Sequence, residues 1–185
     1  MGGEVPFAIH LAATKSPMAP DTALLRVGIK GRALSEVDKR PANLVFLVDV
    51  SGSMKSSSKL GLVKQVLTDA LDALDPNDTL SIVTYAGATG VAMPPTPISQ
   101  KSNIEEVIQS FEAGGSTAGA AGIDLAYQQA EAGFIDGGIN HVLLCTDGDF
   151  NVGASSDAEL VRLIEKKRKG GVFLTVLGFG RGNYK

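Results

Sequence analysis

The sequence predicts an α/β domain: a doubly wound parallel sheet flanked by helices. Three observations carry this. Leu44–Val48 and Val142–Cys145 are unbroken apolar runs, the pattern of strands buried on both faces. Each run leads into an aspartate, Asp49 at once and Asp147 after Thr146. From residue 43 onward, strand-like and helix-like segments alternate, which calls for parallel strands joined by crossovers with helices on both faces.

With 185 residues, 44% of them hydrophobic and 20% charged, the chain can build one full core. With a net charge of -3, nothing suggests a nucleic-acid surface. No apolar run approaches the roughly 20 residues needed to span a bilayer, so no membrane insertion is expected. Met1–Pro6 lacks the basic start and apolar stretch of a signal peptide and reads as the start of a fragment, which leaves native targeting open. Cys145, the single cysteine, lies in an apolar run and reads as a buried, inert thiol.

Residues 1–42 read as an N-terminal strand extension and linker. Phe7–Leu11 and Ala23–Ile29 have strand patterns, with Pro17, Pro20 and Asp21 between them. They are expected to add a hairpin-like layer at one edge of the main sheet, followed by a charged linker, Ser35–Pro41.

Residues 43–185 read as the main domain. Ser56–Ser58 offer N-caps for a helix carrying Leu60, Val63, Leu67, Ala70, Leu71 and Leu74, stopped by Asp75-Pro76. Thr79–Tyr85 is a strand, and Val91–Met93 a short one before Pro94, Pro95 and Pro97. Ser102 with Glu105 forms a capping box for a helix with Ile104, Val107, Ile108 and Phe111 on its apolar side. Gly114–Thr117 is a tight loop, and a helix runs from Ala118 to about Ala132. Ile139–Thr146 is a buried strand ending in Asp147-Gly148-Asp149. Ser156 with Glu159 opens a helix with Leu160, Val161, Leu163 and Ile164 inward. Its basic end, Lys166–Lys169, reads as solvated and matched to the helix dipole rather than as a phosphate site. Val172–Gly178 is expected as a further buried strand. No covering helix follows it, so the domain reads as truncated at its C-terminus, or as covered there by another surface.

Three loops carry oxygen-bearing side chains. They hold Asp49, Ser51 and Ser53; then Ser116 and Thr117; then Thr146, Asp147 and Asp149. Ligands collect at the carboxyl ends of parallel strands, and hard cations take such oxygens. If the strands leading to Asp49 and Asp147 are neighbours, two aspartates, two serines and a threonine can build an octahedral site with one position open. Asp149 reads as a turn residue and Ser116 as a loop or cap residue. Met54 and Phe150 flank the site and fit contact residues and loop packing equally. His10 and His141 give no Ser-His-Asp arrangement. Gly114–Gly119 has phosphate-loop spacing, but Ala120 stands where the lysine belongs.

Asp49-Val50-Ser51-Gly52-Ser53 is a D-x-S-x-S motif, and Thr117 in Gly-Gly-Ser-Thr and Asp147 in Thr-Asp-Gly-Asp follow in order. Through these five positions, and over residues 43–182, the chain resembles a von Willebrand factor type A domain with a metal-ion-dependent adhesion site, most like bacterial cell-envelope members. The resemblance implies a Rossmann-like, mostly parallel sheet with one antiparallel edge strand, here Val91–Met93. It implies that Ser51, Ser53 and Thr117 touch a metal, with Asp49 and Asp147 often acting through water or hydroxyls. Mg²⁺ is the implied cation, with Mn²⁺ or Ca²⁺ as alternatives. The implied partner is a protein offering an Asp or Glu carboxylate, in the cell envelope or outside the cell. Family members also carry a C-terminal helix that shifts in some relatives; its absence from this sequence puts such switching in doubt.

The leading functional reading is a non-enzymatic, metal-dependent protein-binding module. The alternative is a Mg²⁺-dependent phosphohydrolase of haloacid-dehalogenase-like type, prompted by Asp49 and the Asp147/Asp149 pair. Such enzymes need an acid two residues beyond the nucleophile, and Ser51 stands there. A third reading is a scaffold that keeps the motif for loop structure alone.

Overall fold

The computed structural model describes residues 7–19, 21–31, 39–116, 119–148 and 157–180. The chain divides into two units, Met1–Lys39 and Arg40–Lys185.

The first unit holds an antiparallel pair, β1 (Phe7–Lys15) and β2 (Ala23–Gly31), both longer than their sequence patterns suggest. Ile9–Ile29, Leu11–Val27 and Ala13–Leu25 are direct cross-strand pairs, so period-two alternation gathers apolar side chains on one face. The pair is a two-stranded sheet of its own. Most of the expected linker lies outside the described residues.

The second unit is built on β3 (Ala42–Asp49), β4 (Thr79–Tyr85), β5 (Thr89–Pro97), β6 (Ile139–Thr146) and β7 (Val172–Gly178), in spatial order β5-β4-β3-β6-β7. All pairings are parallel except β4 with β5. Strand β3 is central because its residues are apolar in both directions. Phe46 and Val48 pack with α1 (Leu62–Leu71) and α2 (Lys101–Gln109) on one face. Val45 and Leu47 pack with α3 (Gly119–Ala132) and α4 (Asp157–Lys169) on the other. The doubly wound, mostly parallel sheet flanked by helices follows from this alternation.

Several local expectations are corrected. Pro94, Pro95 and Pro97 lie inside β5 rather than after it. An edge strand has one unpaired side, where a missing N–H costs no ladder bond. Helix α1 starts later than expected: a 3₁₀ turn (Gly52–Lys55) and a π turn (Ser57–Gly61) precede it. Ser56 makes no side-chain cap; its Oγ lies 3.1 Å from Ser58 Oγ. Ser102 lies within the first turn of α2, whose N-cap is Gln100, so the capping box does not form; Glu105 instead lies 3.6 Å from the Lys101 ammonium. Among the described residues strand β7 lies at the sheet edge rather than buried on both faces, with Phe173 49% and Val176 56% exposed. Val161 on α4, expected inward, is 53% exposed, while Leu160 and Leu163 do pack against the core. Lys167 is not simply solvated: its ammonium donates to Glu131 at 2.5 Å and sits 5.5 Å from the Tyr127 ring centre. Ser156 lies outside the described residues.

Candidate metal site

Strands β3 and β6 are direct neighbours, with Val48 level with Cys145. Their two exit loops therefore leave the same edge side by side. Asp49, Ser51 and Asp147 are buried there, and Ser53 is exposed.

Asp49 is held on both oxygens. Its Oδ1 accepts the Ser51 backbone N–H at 2.9 Å, a local turn that bends the chain away from the strand. Its Oδ2 accepts the Tyr85 hydroxyl at 3.1 Å and the Thr146 hydroxyl at 3.3 Å. Tyr85 reaches it because the parallel register sets Asp49 level with the last residue of β4. Burial, and then the neighbouring Asp49 charge, push the Tyr85 phenol far above its ordinary pKa, so it remains a neutral donor.

The remaining groups are linked in series. Ser51 Oγ lies 3.0 Å from Ser53 Oγ. The Lys59 ammonium donates to the Ser53 carbonyl at 3.1 Å and to Asp147 Oδ2 at 2.8 Å. The Asp147 side chain is wholly buried. The second loop, residues 114–116, is laced to the first through main-chain atoms: Gly114 N–H donates to the Val50 carbonyl at 2.8 Å, and Gly52 N–H to the Gly115 carbonyl at 3.0 Å. Gly115 has φ +78°, and a Cβ there would stand 3.0 Å from the Gly87 nitrogen. Only glycine fits that turn without strain.

The structure thus gathers Asp49, Ser51, Ser53 and Asp147 at one edge. Thr117, Asp149 and Phe150 lie outside the described residues. Met54 is fully buried in the core, so it packs the loop rather than presenting a contact. Tyr85 and Lys59 escaped the sequence reading. A polar tip closing an apolar strand could have flagged Tyr85; nothing local marks Lys59, whose partner is 88 residues away.

The donor set fits a hard divalent cation: carboxylate and hydroxyl oxygens around buried negative charge, on which an ammonium already rests. Among the described residues no cluster of three or more His, Cys, Asp or Glu side chains could hold a metal, so a site here depends on hydroxyl donors as well.

A doubly wound α/β domain that presents hydroxyls and carboxylates from loops at the carboxyl edge of its central strands belongs to the class of open-sheet binding domains. More particularly, the chain belongs to the von Willebrand factor type A domain family, whose model matches residues 43–185. It is 42% identical over 180 residues to the protein YfbK of Escherichia coli K12, covering 97% of this chain and 31% of that protein. The chain thus spans about a third of that relative's length. Among solved structures it is similar in fold to an aerotolerance-related membrane protein from Bacteroides fragilis (21% identity, TM-score 0.58, covering 75% of this chain and 68% of that one). It is likewise similar to mussel byssus proximal thread matrix protein 1 with a zinc-occupied metal-ion-dependent adhesion site (22% identity, TM-score 0.63, covering 78% of this chain and 39% of that one).

Proposed function

We propose that this domain is a metal-dependent protein-interaction module, not an enzyme. Asp49, Ser51, Ser53, Thr117 and Asp147 would hold one divalent cation, Mg²⁺ first, with Mn²⁺ or Ca²⁺ as substitutes. The observation that carries this is that the buried Asp49 and Asp147 stand at the same sheet edge as the Ser51 and Ser53 hydroxyls, which lie 3.0 Å apart, with a lysine ammonium on Asp147. Bound there, the cation supplies an open coordination position for an Asp or Glu carboxylate of a protein partner.

The chain's own residues prepare that event. Tyr85 and Thr146 fix the Asp49 carboxylate and absorb part of its charge. Ser51 and Ser53 present neutral donors, which add no negative charge to that of Asp49 and Asp147 and so leave the site able to take a further anionic ligand. The phosphohydrolase alternative gains no support: Ser51 stands where such enzymes need an acid, and no comparison points to such an enzyme. A cell-envelope setting is supported by the fold shared with a Bacteroides membrane protein. Among the described residues no helix is long and apolar enough to cross a membrane.

The test is thermal unfolding in EDTA and in millimolar Mg²⁺ or Mn²⁺, for wild type and Asp49→Ala. A cation that binds only the folded state raises its stability by mass action. A rise in wild type that disappears in Asp49→Ala supports the reading; partner binding that is metal-independent and survives Asp49→Ala ends it.

A further inference from the structure

We propose that Lys59 is a built-in counter-ion that competes with the divalent cation for Asp147, so that it holds the metal-free site together and limits its metal affinity. This rests on the metal-binding reading above. A wholly buried carboxylate is unfavourable unless paired, and the Asp147 side chain has no exposure to solvent. The Lys59 ammonium meets it at 2.8 Å and is steadied by the Ser53 carbonyl at 3.1 Å, so it ties the loop after β3 to the loop after β6.

The lysine's position is prepared by the fold. It projects from the π turn that follows the D-x-S-x-S loop. Its stem lies against Gly180 just beyond β7, where φ is +101° and a Cβ would come within 2.9 Å of Lys59 Cε. A larger residue at Gly180 would be strained by its backbone and would make the lysine stem shift. The Lys59 side chain keeps 18% exposure, which gives the ammonium a route to water when it leaves Asp147.

An ammonium supplies one positive charge and up to three N–H donors; a divalent cation supplies two charges and seeks the same oxygens. The two are like charges and cannot share Asp147 without repulsion. Metal binding therefore includes release of Lys59, and affinity is lower than the oxygen donors alone would give. A partner carboxylate arriving at the metal adds negative charge and offsets part of that cost.

The test uses Lys59→Met, which keeps the stem and removes the charge. Calorimetric titration with Mn²⁺ is paired with thermal unfolding in EDTA. The expected result has opposite signs: Lys59→Met melts lower than wild type without metal, yet binds Mn²⁺ about tenfold more tightly. A purely structural lysine would lower both together, and unchanged or weaker Mn²⁺ binding overturns the proposal. Binding in wild type that is lost in Asp49→Ala but unchanged in Lys59→Met overturns this inference alone; no binding in either wild type or Lys59→Met overturns the metal reading and this inference with it. Should Lys59→Met fail to fold, amine acylation of wild type decides: Lys59 labels faster in Mn²⁺ than in EDTA if it is released, and equal rates overturn the proposal.

Discussion

The two ends of the central sheet carry the same kinds of buried polar residue and use them differently. At the amino edge, Asp78 accepts the Ala42 N–H at 2.8 Å on one oxygen and the Asp75 N–H at 2.9 Å on the other. Asn140 exchanges two hydrogen bonds of 2.9 Å with the backbone of Ile135, and Asn43 donates to the Ala130 carbonyl at 2.8 Å. These groups fasten the turns that enter the strands. At the carboxyl edge, Asp49 keeps one backbone donor, but its other oxygen meets the hydroxyls of Tyr85 and Thr146, and Asp147 meets an ammonium. Backbone partners are fixed by the fold; side-chain partners can turn away and be replaced. Burial and residue type do not separate the two edges; the partners of their aspartates do, backbone N–H groups for Asp78 and mostly side-chain hydroxyls and an ammonium for Asp49 and Asp147.

Asp78→Ala should have the largest effect. It strands the buried Ala42 N–H and removes a part-buried partner from the Asp75 N–H, and should cost about 2 kcal/mol in urea denaturation, with the metal-induced gain unchanged. A reduced metal response in that variant would break the division between the two edges. Next, saturating Mn²⁺ at 100 times its dissociation constant should stabilise wild type by about 2.7 kcal/mol, and Asp49→Ala by close to nothing. Tyr85→Phe removes one donor to Asp49 and should cost about 1 kcal/mol of stability while weakening Mn²⁺ binding only a few-fold. Were its metal binding abolished, Tyr85 would belong to the site itself rather than to its support.

The smallest effect concerns Cys145, two residues before Asp147 and still fully buried. Burial pushes its thiol pKa up to about 12. Native protein should therefore resist a thiol-reactive disulfide at pH 8 and react fully once unfolded. The unfolded thiol ionises first, so the folded state keeps this contribution below the ordinary thiol pKa and loses it as pH rises toward 12. Rapid labelling of native protein at pH 8 would show that the apolar sheet gives way earlier than the structure indicates.

Much of this was legible in the sequence because local pattern and burial agreed. The unbroken run before Asp49 reads as a strand buried on both faces and is one, and β6 has the predicted bounds, Ile139–Thr146. Four of the five expected site residues fall together because β3 and β6 are adjacent. What was not legible depends on neighbours. An apolar run looks the same in a central strand and in an edge strand such as β7, where Phe173 and Val176 remain exposed. Prolines look like strand terminators until the strand is known to lie at an edge, as β5 does. Serines at helix starts suggest caps, but the turns before α1 delay its start and α2 begins before Ser102. Tyr85 and Lys59 reach the site only through register and long-range contact.

The lacing of the Val50–Gly52 segment to Gly114–Gly115 uses atoms that every amino acid possesses. The spacing of the two loops is thus independent of which side chains they display. Descendants of this chain could exchange Ser51 or Ser53 for other oxygen donors, one at a time, and inherit an intact platform for each trial. Gly115 has no such freedom, since any other residue would have to force itself against Gly87. Diversification should run through the serines and stop at the glycine.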